Sequence, residues 1–322
     1  MFRAPLILSL TAVAATVAAV ALPAGATPPG TNGKLVFERP TRDGADLFTV
    51  GADGSAVTRL TRLRGVEHDA SWSPDGSKVA FTRARNPETG PFEIWVVNAD
   101  GSGLARVTRH RGFTFGPAWS PDGQRIAYSK ERRDRPPALY VVNSDGSGTQ
   151  RLRRSRTEGC TDPSWSPDGT TIAFASTRVG ESRQAFDSSI AVIDADDGGN
   201  LRRLTAPGGD DELNPNWSPD GTAIAFEHNR RFDRGQSDIW LMAADGSGER
   251  QITATTVHES NPTFSPDGTR IAFAGDRDNR GLSQDRLGRG FELYTMALDG
   301  SAIVRVTTNR RPDLWPDWQP LP

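Results

Sequence analysis

The sequence predicts an all-β chain folded as a six-bladed β-propeller of four-stranded antiparallel blades, with the first blade closed jointly by the N- and C-terminal segments. Three observations carry this expectation. A unit made of an aromatic residue, a Ser-Pro-Asp-Gly turn, a short apolar strand and an Asp-Gly turn recurs at spacings of about 46 to 54 residues, a period that belongs to stacked supersecondary units. The composition, 35% hydrophobic with 33 Gly and 23 Pro in 322 residues, suits many short strands and tight turns. The two chain ends also hold complementary fractions of one unit.

Residues 1–26 stand outside the repeat. Arg3, an apolar and alanine-rich run over 6–22 and Ala24-Gly25-Ala26 have the three parts of a secretory signal peptide cut after Ala26. The competing reading is an uncleaved membrane anchor, because the run approaches the length of a span. No Cys follows the run, which argues against a lipid-anchored mature terminus. A linker over 27–33 then leads into a propeller domain over 34–322.

Within each unit the first strand ends on the aromatic of the turn motif: Trp72, Trp119, Trp165, Trp217, Phe264 and, in the degenerate copy, Trp318. Ser-Pro-Asp-Gly reads as a type I turn, with Pro fixing φ and Gly free to take positive φ. It is a hairpin turn rather than a binding motif. The second strand runs apolar, small, aromatic, as in Val79-Ala80-Phe81, Ile126-Ala127-Tyr128, Ile172-Ala173-Phe174, Ile224-Ala225-Phe226 and Ile271-Ala272-Phe273. The third strand is apolar on both pleat faces, as in Ile94-Trp95-Val96-Val97 and Ile239-Trp240-Leu241-Met242, so both faces are expected to be covered. An Asp-Gly turn follows at Gly54, Gly101, Gly146, Gly246 and Gly300, with a looser version at Asp197-Gly198. The fourth strand alternates charge and hydroxyl, as in Arg106-Val107-Thr108, which suits an outer edge that must not pair with another protein. The N-terminal segment supplies strands two to four of a unit that lacks its first strand, and the C-terminal segment from Leu314 supplies that strand.

The repeated WSPDG, Ile-Ala-Phe and Asn-x-Asp-Gly-Ser-Gly patterns resemble the WD40-like repeats of TolB-type β-propellers over essentially the whole mature chain. The resemblance implies the fold. It carries no single activity, because related propellers serve binding proteins, peptidases and an oligogalacturonate lyase alike. The sequence passes from the signal directly into the first blade, so the α/β domain that precedes the TolB propeller is not expected.

Several function classes are excluded or weakened. A formal net charge of −2 gives no basic field for nucleic acid, and the many arginines are mixed with acids as on a solvated surface. No Gly-x-Ser-x-Gly nucleophile elbow occurs. His68, His110, His228 and His258 have no His-x-x-His spacing, and no metal site or other cofactor is expected from them. Asp276-x-Asp278 with Gly281 imitates a calcium loop, but Arg280 and Leu287 stand where oxygen ligands are needed. Asp194, Asp196 and Asp197 read as an irregular turn. Cys160 is the only cysteine, so no internal disulfide forms, and a semi-buried thiol is expected.

Blade topology places both tight turns at one end and the variable loops 83–92, 130–137, 176–188, 227–237 and 275–291 at the other, where recognition usually resides. Residues just before each innermost strand are expected to ring the channel on that loop face: Glu67 and Asp69 with His68 between them, Thr114 and Gly116, Cys160 and Asp162, Glu212 and Asn214, Glu259 and Asn261, Asp313 and Trp315. Arg132, Arg133, Arg135, Arg230, Arg231, Arg234, Arg277, Arg280, Arg286 and Arg289 are expected around them. For any one Asp or Asn of the ring, the local alternative is capping of neighbouring backbone amides.

Two functions follow. The first is an exported, monomeric binding module whose acidic channel mouth and loop face take a protein, peptide or cell-envelope ligand. The second is an extracytoplasmic polysaccharide lyase or hydrolase using carboxylate pairs such as Glu212 and Glu259, which would need split pKa values.

Overall fold

The computed structural model describes residues 30–109, 112–132, 135–179, 186–208, 210–230, 236–277, 290–309 and 311–321. Each unit becomes a four-stranded antiparallel blade, and blades 1 and 2 are joined into one eight-stranded sheet by a short parallel pairing. Blade 2 consists of Gly65–Trp72, Lys78–Ala84, Glu93–Asn98 and Ala105–Arg106, and blades 3 to 6 repeat this order from Phe113, Glu158, Asp211 and Glu259. Blade 1 is assembled from both ends: Leu314–Leu321 pairs with Thr31–Thr41, which pairs with Gly44–Gly51, which pairs with Thr58–Arg59. The innermost strands touch their neighbours in sequence around a closed circle, Leu314–Leu321 meeting both Gly65–Trp72 and Glu259–Phe264.

The turns form as their residues dictate. In blades 2 to 6 the Gly N–H of Ser-Pro-Asp-Gly donates to the Ser carbonyl three residues back at 2.8–2.9 Å, and the glycines sit at φ between 65° and 72°. In blade 3 Asp122 Oδ1 accepts the Gln124 N–H at 3.0 Å and the Ser120 hydroxyl at 2.5 Å. The Asp197-Gly198 turn is looser, since the Gly198 N–H reaches back four residues to the Asp194 carbonyl. Asp194 and Asp197 there accept from the Asn200 side chain and the Gly199 N–H, as an irregular turn requires. One glycine pair is sterically obligatory. Gly44 of blade 1 and Gly65 of blade 2 pair in parallel, and a Cβ on Gly44 would lie 1.7 Å from the Gly65 carbonyl oxygen.

The core lies between blades rather than within one layer. Six buried clusters, one at each junction, hold the apolar positions of strands one to three; the junction of blades 6 and 1 brings Ala272 and Leu293 against Leu35, Phe37 and Trp318. The aromatic of every second strand is among the largest fully buried side chains: Phe37, Phe81, Tyr128, Phe174, Phe226 and Phe273. Each such burial contributes about 2–3 kcal/mol. The turn-motif tryptophans stitch blades together, with Trp119 Nε1 donating to the Ser71 carbonyl and Trp165 Nε1 to that of Ala118. Cys160 is fully buried rather than half-exposed. No helix among the described residues is long and apolar enough to cross a membrane.

Candidate functional site at the channel mouth

Every innermost strand carries an irregularity in its pairing with the second strand, as between His68 and Ser71 or Thr161 and Ser164. At this point one residue per blade adopts the left-handed conformation: Asp69, Gly116, Asp162, Asn214, Asn261 and Trp315, all with φ of 49–61°. Asp, Asn and Gly tolerate this region, which explains four acid or amide side chains and one glycine at equivalent positions. These six residues, each followed by Ala or Pro, line a central cavity of about 320 Å³ together with Asp317.

Carboxylates bind the ring together across blade boundaries. Asp69 Oδ2 of blade 2 accepts the Gly116 N–H of blade 3 at 3.1 Å, the Thr82 hydroxyl at 3.3 Å and the His68 ring at 2.9 Å. Asp162 of blade 4 accepts the backbone N–H of Asn214 in blade 5 and the Thr161 hydroxyl at 3.0 Å. Glu227 of blade 5 accepts the Asn214 side-chain amide at 2.9 Å and the Asn261 N–H of blade 6 at 3.4 Å. Asp317 of blade 1 takes the Trp72 N–H of blade 2 at 2.7 Å and the Thr263 hydroxyl of blade 6 at 3.1 Å. Backbone capping, the local alternative from sequence, is thus real for Asp69 and Asp162, and it operates between blades.

The expectation that both residues of each pair ring the channel is corrected. Asp69, Asp162, Asn214 and Asn261 line the cavity, whereas Glu67, Glu212, Glu259 and Asp313 are buried between blades and face an Arg or His on or just after the second strand. Arg83 Nε lies 3.5 Å from Glu67, His228 Nδ1 lies 3.8 Å from Glu212, and Arg277 Nε lies 2.5 Å from Glu259. Arg39 holds Asp313 with two parallel bonds of 2.6 and 2.7 Å. The extra residue at each pairing irregularity uncouples i from i+2, which is why strand alternation mispredicts this position. The buried glutamates Glu67 and Glu212 also accept the hydroxyls of Thr61 and Thr205 from the preceding blade.

The rim carries an aromatic cluster in which Phe92 and Phe113 join the expected Trp315 and His68. His68 lies 5.5 Å from the Phe92 ring and 6.4 Å from Trp315, and Phe92 lies 5.3 Å from Phe113. Phe113 and Trp315 are 44% and 36% exposed, although both are large and apolar. Glu38, Glu227 and Asp317 are further acids that the fold adds. Glu38 and Glu227 occupy the same repeat position, directly after the second-strand aromatics Phe37 and Phe226, and an alignment of the repeats would have paired them. Of the expected arginines, Arg132, Arg135 and Arg230 are exposed and Arg277 is committed to Glu259. Arg133, Arg231, Arg234, Arg280, Arg286 and Arg289 lie outside the described residues, as do His110 and most of the calcium-like loop.

Burial sets the protonation of this mouth. It pushes Glu38 up to about 8, against the nearby His68, and Asp162 up to about 7, with the charges of Asp69 and Glu227 adding to the rise. It pushes Asp317 up to about 6 and raises Glu227 as well. For Asp69 burial acts in the same sense but is outweighed by His68 and the hydrogen bonds it accepts, so its carboxyl stays below the usual range. His68 is raised because Asp69 outweighs its burial. Among the described residues no group of three His, Cys, Asp or Glu is placed to hold a metal ion.

Six four-stranded blades around a central cavity with an acidic, aromatic-rimmed mouth form a closed β-propeller. The chain belongs to the TolB beta propeller domain family, whose sequence profile matches residues 88–231 and 213–321. Among solved structures it is similar to TolB from Acinetobacter baumannii, at 21% identity and a TM-score of 0.71 over 89% of this chain and 67% of that one. It is also similar to a putative TolB from Agrobacterium tumefaciens, at 24% identity and a TM-score of 0.63 over 89% and 91% of the two chains. An oligogalacturonate lyase in complex with manganese matches at 17% identity and a TM-score of 0.53 over 87% and 74%. At these identities the likeness is one of fold. No curated protein matches the chain.

Proposed function

We propose that this chain is an exported binding module that captures a cationic segment of a protein or peptide at the loop-face mouth of its channel. The observation that carries the reading is the placement of exposed Trp315, in a backbone conformation unusual for so large a residue, beside His68, which pairs with Asp69, on a cavity that Asp162 also lines. Strain kept at a cavity rim is a mark of use. An aromatic face next to carboxylates is the chemistry that holds a guanidinium or ammonium. The rigid sheets beneath keep the ring preorganised, so little ordering cost falls on binding. Export is supported by the signal-like segment over residues 1–26, which lies outside the described residues.

Glu67, Glu212 and Glu259 belong to the clasps between blades in this reading, and the carboxylates that meet a ligand are Asp69, Asp162 and Asp317. The test is a titration with a hexa-arginine peptide followed by tryptophan fluorescence and calorimetry. Saturable binding weakened about tenfold by Trp315→Ala and by Asp162→Asn is expected. Equal affinity in both variants, or no saturable binding to the wild type, would reject the channel mouth as the site.

A further inference from the structure

At the loop face, neighbouring blades meet through a residue at the start of a third strand and the residue immediately before Glu67 or its counterpart in the next blade. At five of the six boundaries at least one partner is small or polar, or is a proline. Ala45 meets Val66, a Cβ on Gly159 would lie 3.0 Å from Pro137, Asp211 accepts the Ser188 N–H at 3.1 Å, and His258 shares a 2.8 Å hydrogen bond with the Ser237 hydroxyl. The Phe291 carbonyl accepts the Asp313 N–H, which places Phe291 beside Pro312. Only between blades 2 and 3 do two aromatic rings fill the position. Phe92 and Phe113 are bridged in parallel there, with the Thr114 N–H donating to the Phe92 carbonyl at 3.1 Å.

The fold does not need these rings. Neither belongs to a buried cluster at a blade junction, and Phe113 is 44% exposed. The Ala45–Val66 boundary shows that the same junction closes with small side chains, so the exposed apolar surface between blades 2 and 3 points to an interaction. The rings are continuous with the channel mouth. Phe92 lies 5.3 Å from Phe113 and 5.5 Å from His68, which lies 6.4 Å from Trp315 on the cavity wall. Successive rings along this band are tilted by 43°, 56° and 34°. A sugar ring stacks best on one flat aromatic face, whereas tilted ring edges suit contact with an aromatic or aliphatic side chain.

We propose that the band from Trp315 to Phe113 is a second subsite of the channel mouth, which takes an apolar side chain of the same peptide whose cation the mouth holds. The inference rests on the cationic reading of the mouth and names the ligand class. It is an extended basic peptide with an aromatic or aliphatic residue about three to five positions from the cation, because an extended chain advances about 3.3 Å per residue.

The probes are the peptide acetyl-Arg-Arg-Gly-Ser-Gly-Gly-Gly-amide and the same peptide with Phe in the sixth position, titrated by calorimetry. Wild-type protein should bind the Phe peptide about fivefold more tightly. Phe113→Val, which installs the side chain that Val66 supplies at the equivalent place, should remove most of this gain and leave affinity for the Phe-free peptide unchanged. The double variant Phe92→Ala, Phe113→Val reproduces the Ala45–Val66 pair and should remove the gain entirely while keeping a cooperative thermal transition. Equal affinity of the wild type for the two peptides, or a gain undiminished in Phe113→Val and in the double variant, overturns the proposal. Saturable binding of cellohexaose that the double variant loses would assign the band to a sugar and overturn it too. If hexa-arginine also fails to bind, the cationic reading itself is rejected, and this inference with it.

Discussion

Arg39 and Asp313, 274 positions apart in sequence, hold each other through two parallel hydrogen bonds of 2.6 and 2.7 Å at the seam of blade 1. Arg39 also lies over the stacked Phe37 and Phe48 rings, 5.0 and 4.9 Å from their centres, which orients its guanidinium toward the acid. The pair joins the first strand of the domain to the last, and Asp313 is fully buried. Removing one partner leaves the other charge uncompensated, at a cost of about 3 kcal/mol or more. Arg39→Ala should lower the Tm by roughly 6 °C or more, and a paired Arg39→Met, Asp313→Leu change should recover much of the loss. Additive losses in the double variant, read by thermal unfolding, would show that the two residues do not act together.

Removal of the C-terminal strand tests the closure more severely. Truncation after Asp313 deletes the innermost strand of blade 1, with Trp318 and with the Asp317 carboxylate that caps Trp72. It exposes the apolar junctions on both sides. The expected result is loss of the cooperative thermal transition in circular dichroism, since a propeller without closure exposes sheet edges and blade faces.

Stability should fall as pH rises from about 4.5 to about 8. Glu38, Glu67, Asp162 and Glu212 are pushed by burial to about 8, 7, 7 and 7. In that window the unfolded chain has released these protons while the folded chain keeps them, so the slope of unfolding free energy with pH is negative. His68, raised by Asp69, acts in the same direction, since its contribution is lost as pH passes its folded value. The turn aspartates Asp75, Asp122 and Asp168 are lowered, their hydrogen bonds outweighing burial, and their contribution is lost only as the pH falls below the ordinary Asp range. A Tm maximum near pH 5 is expected, and Glu38→Gln should flatten the decline toward pH 8.

The same carboxyls govern the proposed ligand. A cation at the mouth favours ionised Asp162 and Asp317, so binding releases protons and affinity should rise from pH 6 to pH 8, by up to about tenfold per group converted. High salt should weaken it. An affinity independent of pH, measured by calorimetry in two buffers of different ionisation enthalpy, would place the cation elsewhere.

Cys160 should be inert in the folded protein. It is fully buried, and burial outweighs the nearby Arg153 to push its thiol up to about 11, so almost no thiolate exists at pH 8. A thiol-specific disulfide reagent should label it at least a hundredfold faster in denaturant than in native buffer.

The sequence by itself determined the blade count, the strand order and the joining of the chain ends, because each rests on local chemistry. Pro, Asp and Gly set turns within four residues, and alternating apolar residues set strands within six. It also located six cavity-lining residues, Asp69, Gly116, Asp162, Asn214, Asn261 and Trp315. What only the tertiary structure decided is which way the neighbouring acids point. A residue inserted at each pairing irregularity sends Glu67, Glu212, Glu259 and Asp313 into the junctions between blades, where a Thr, an Arg or a His waits on a strand remote in sequence or across a hairpin. Glu38, Glu227 and Asp317 are brought toward the channel by the same geometry. Strand periodicity sees two neighbours at a time, whereas a buried carboxylate is placed by partners from two blades, and no local pattern encodes that meeting.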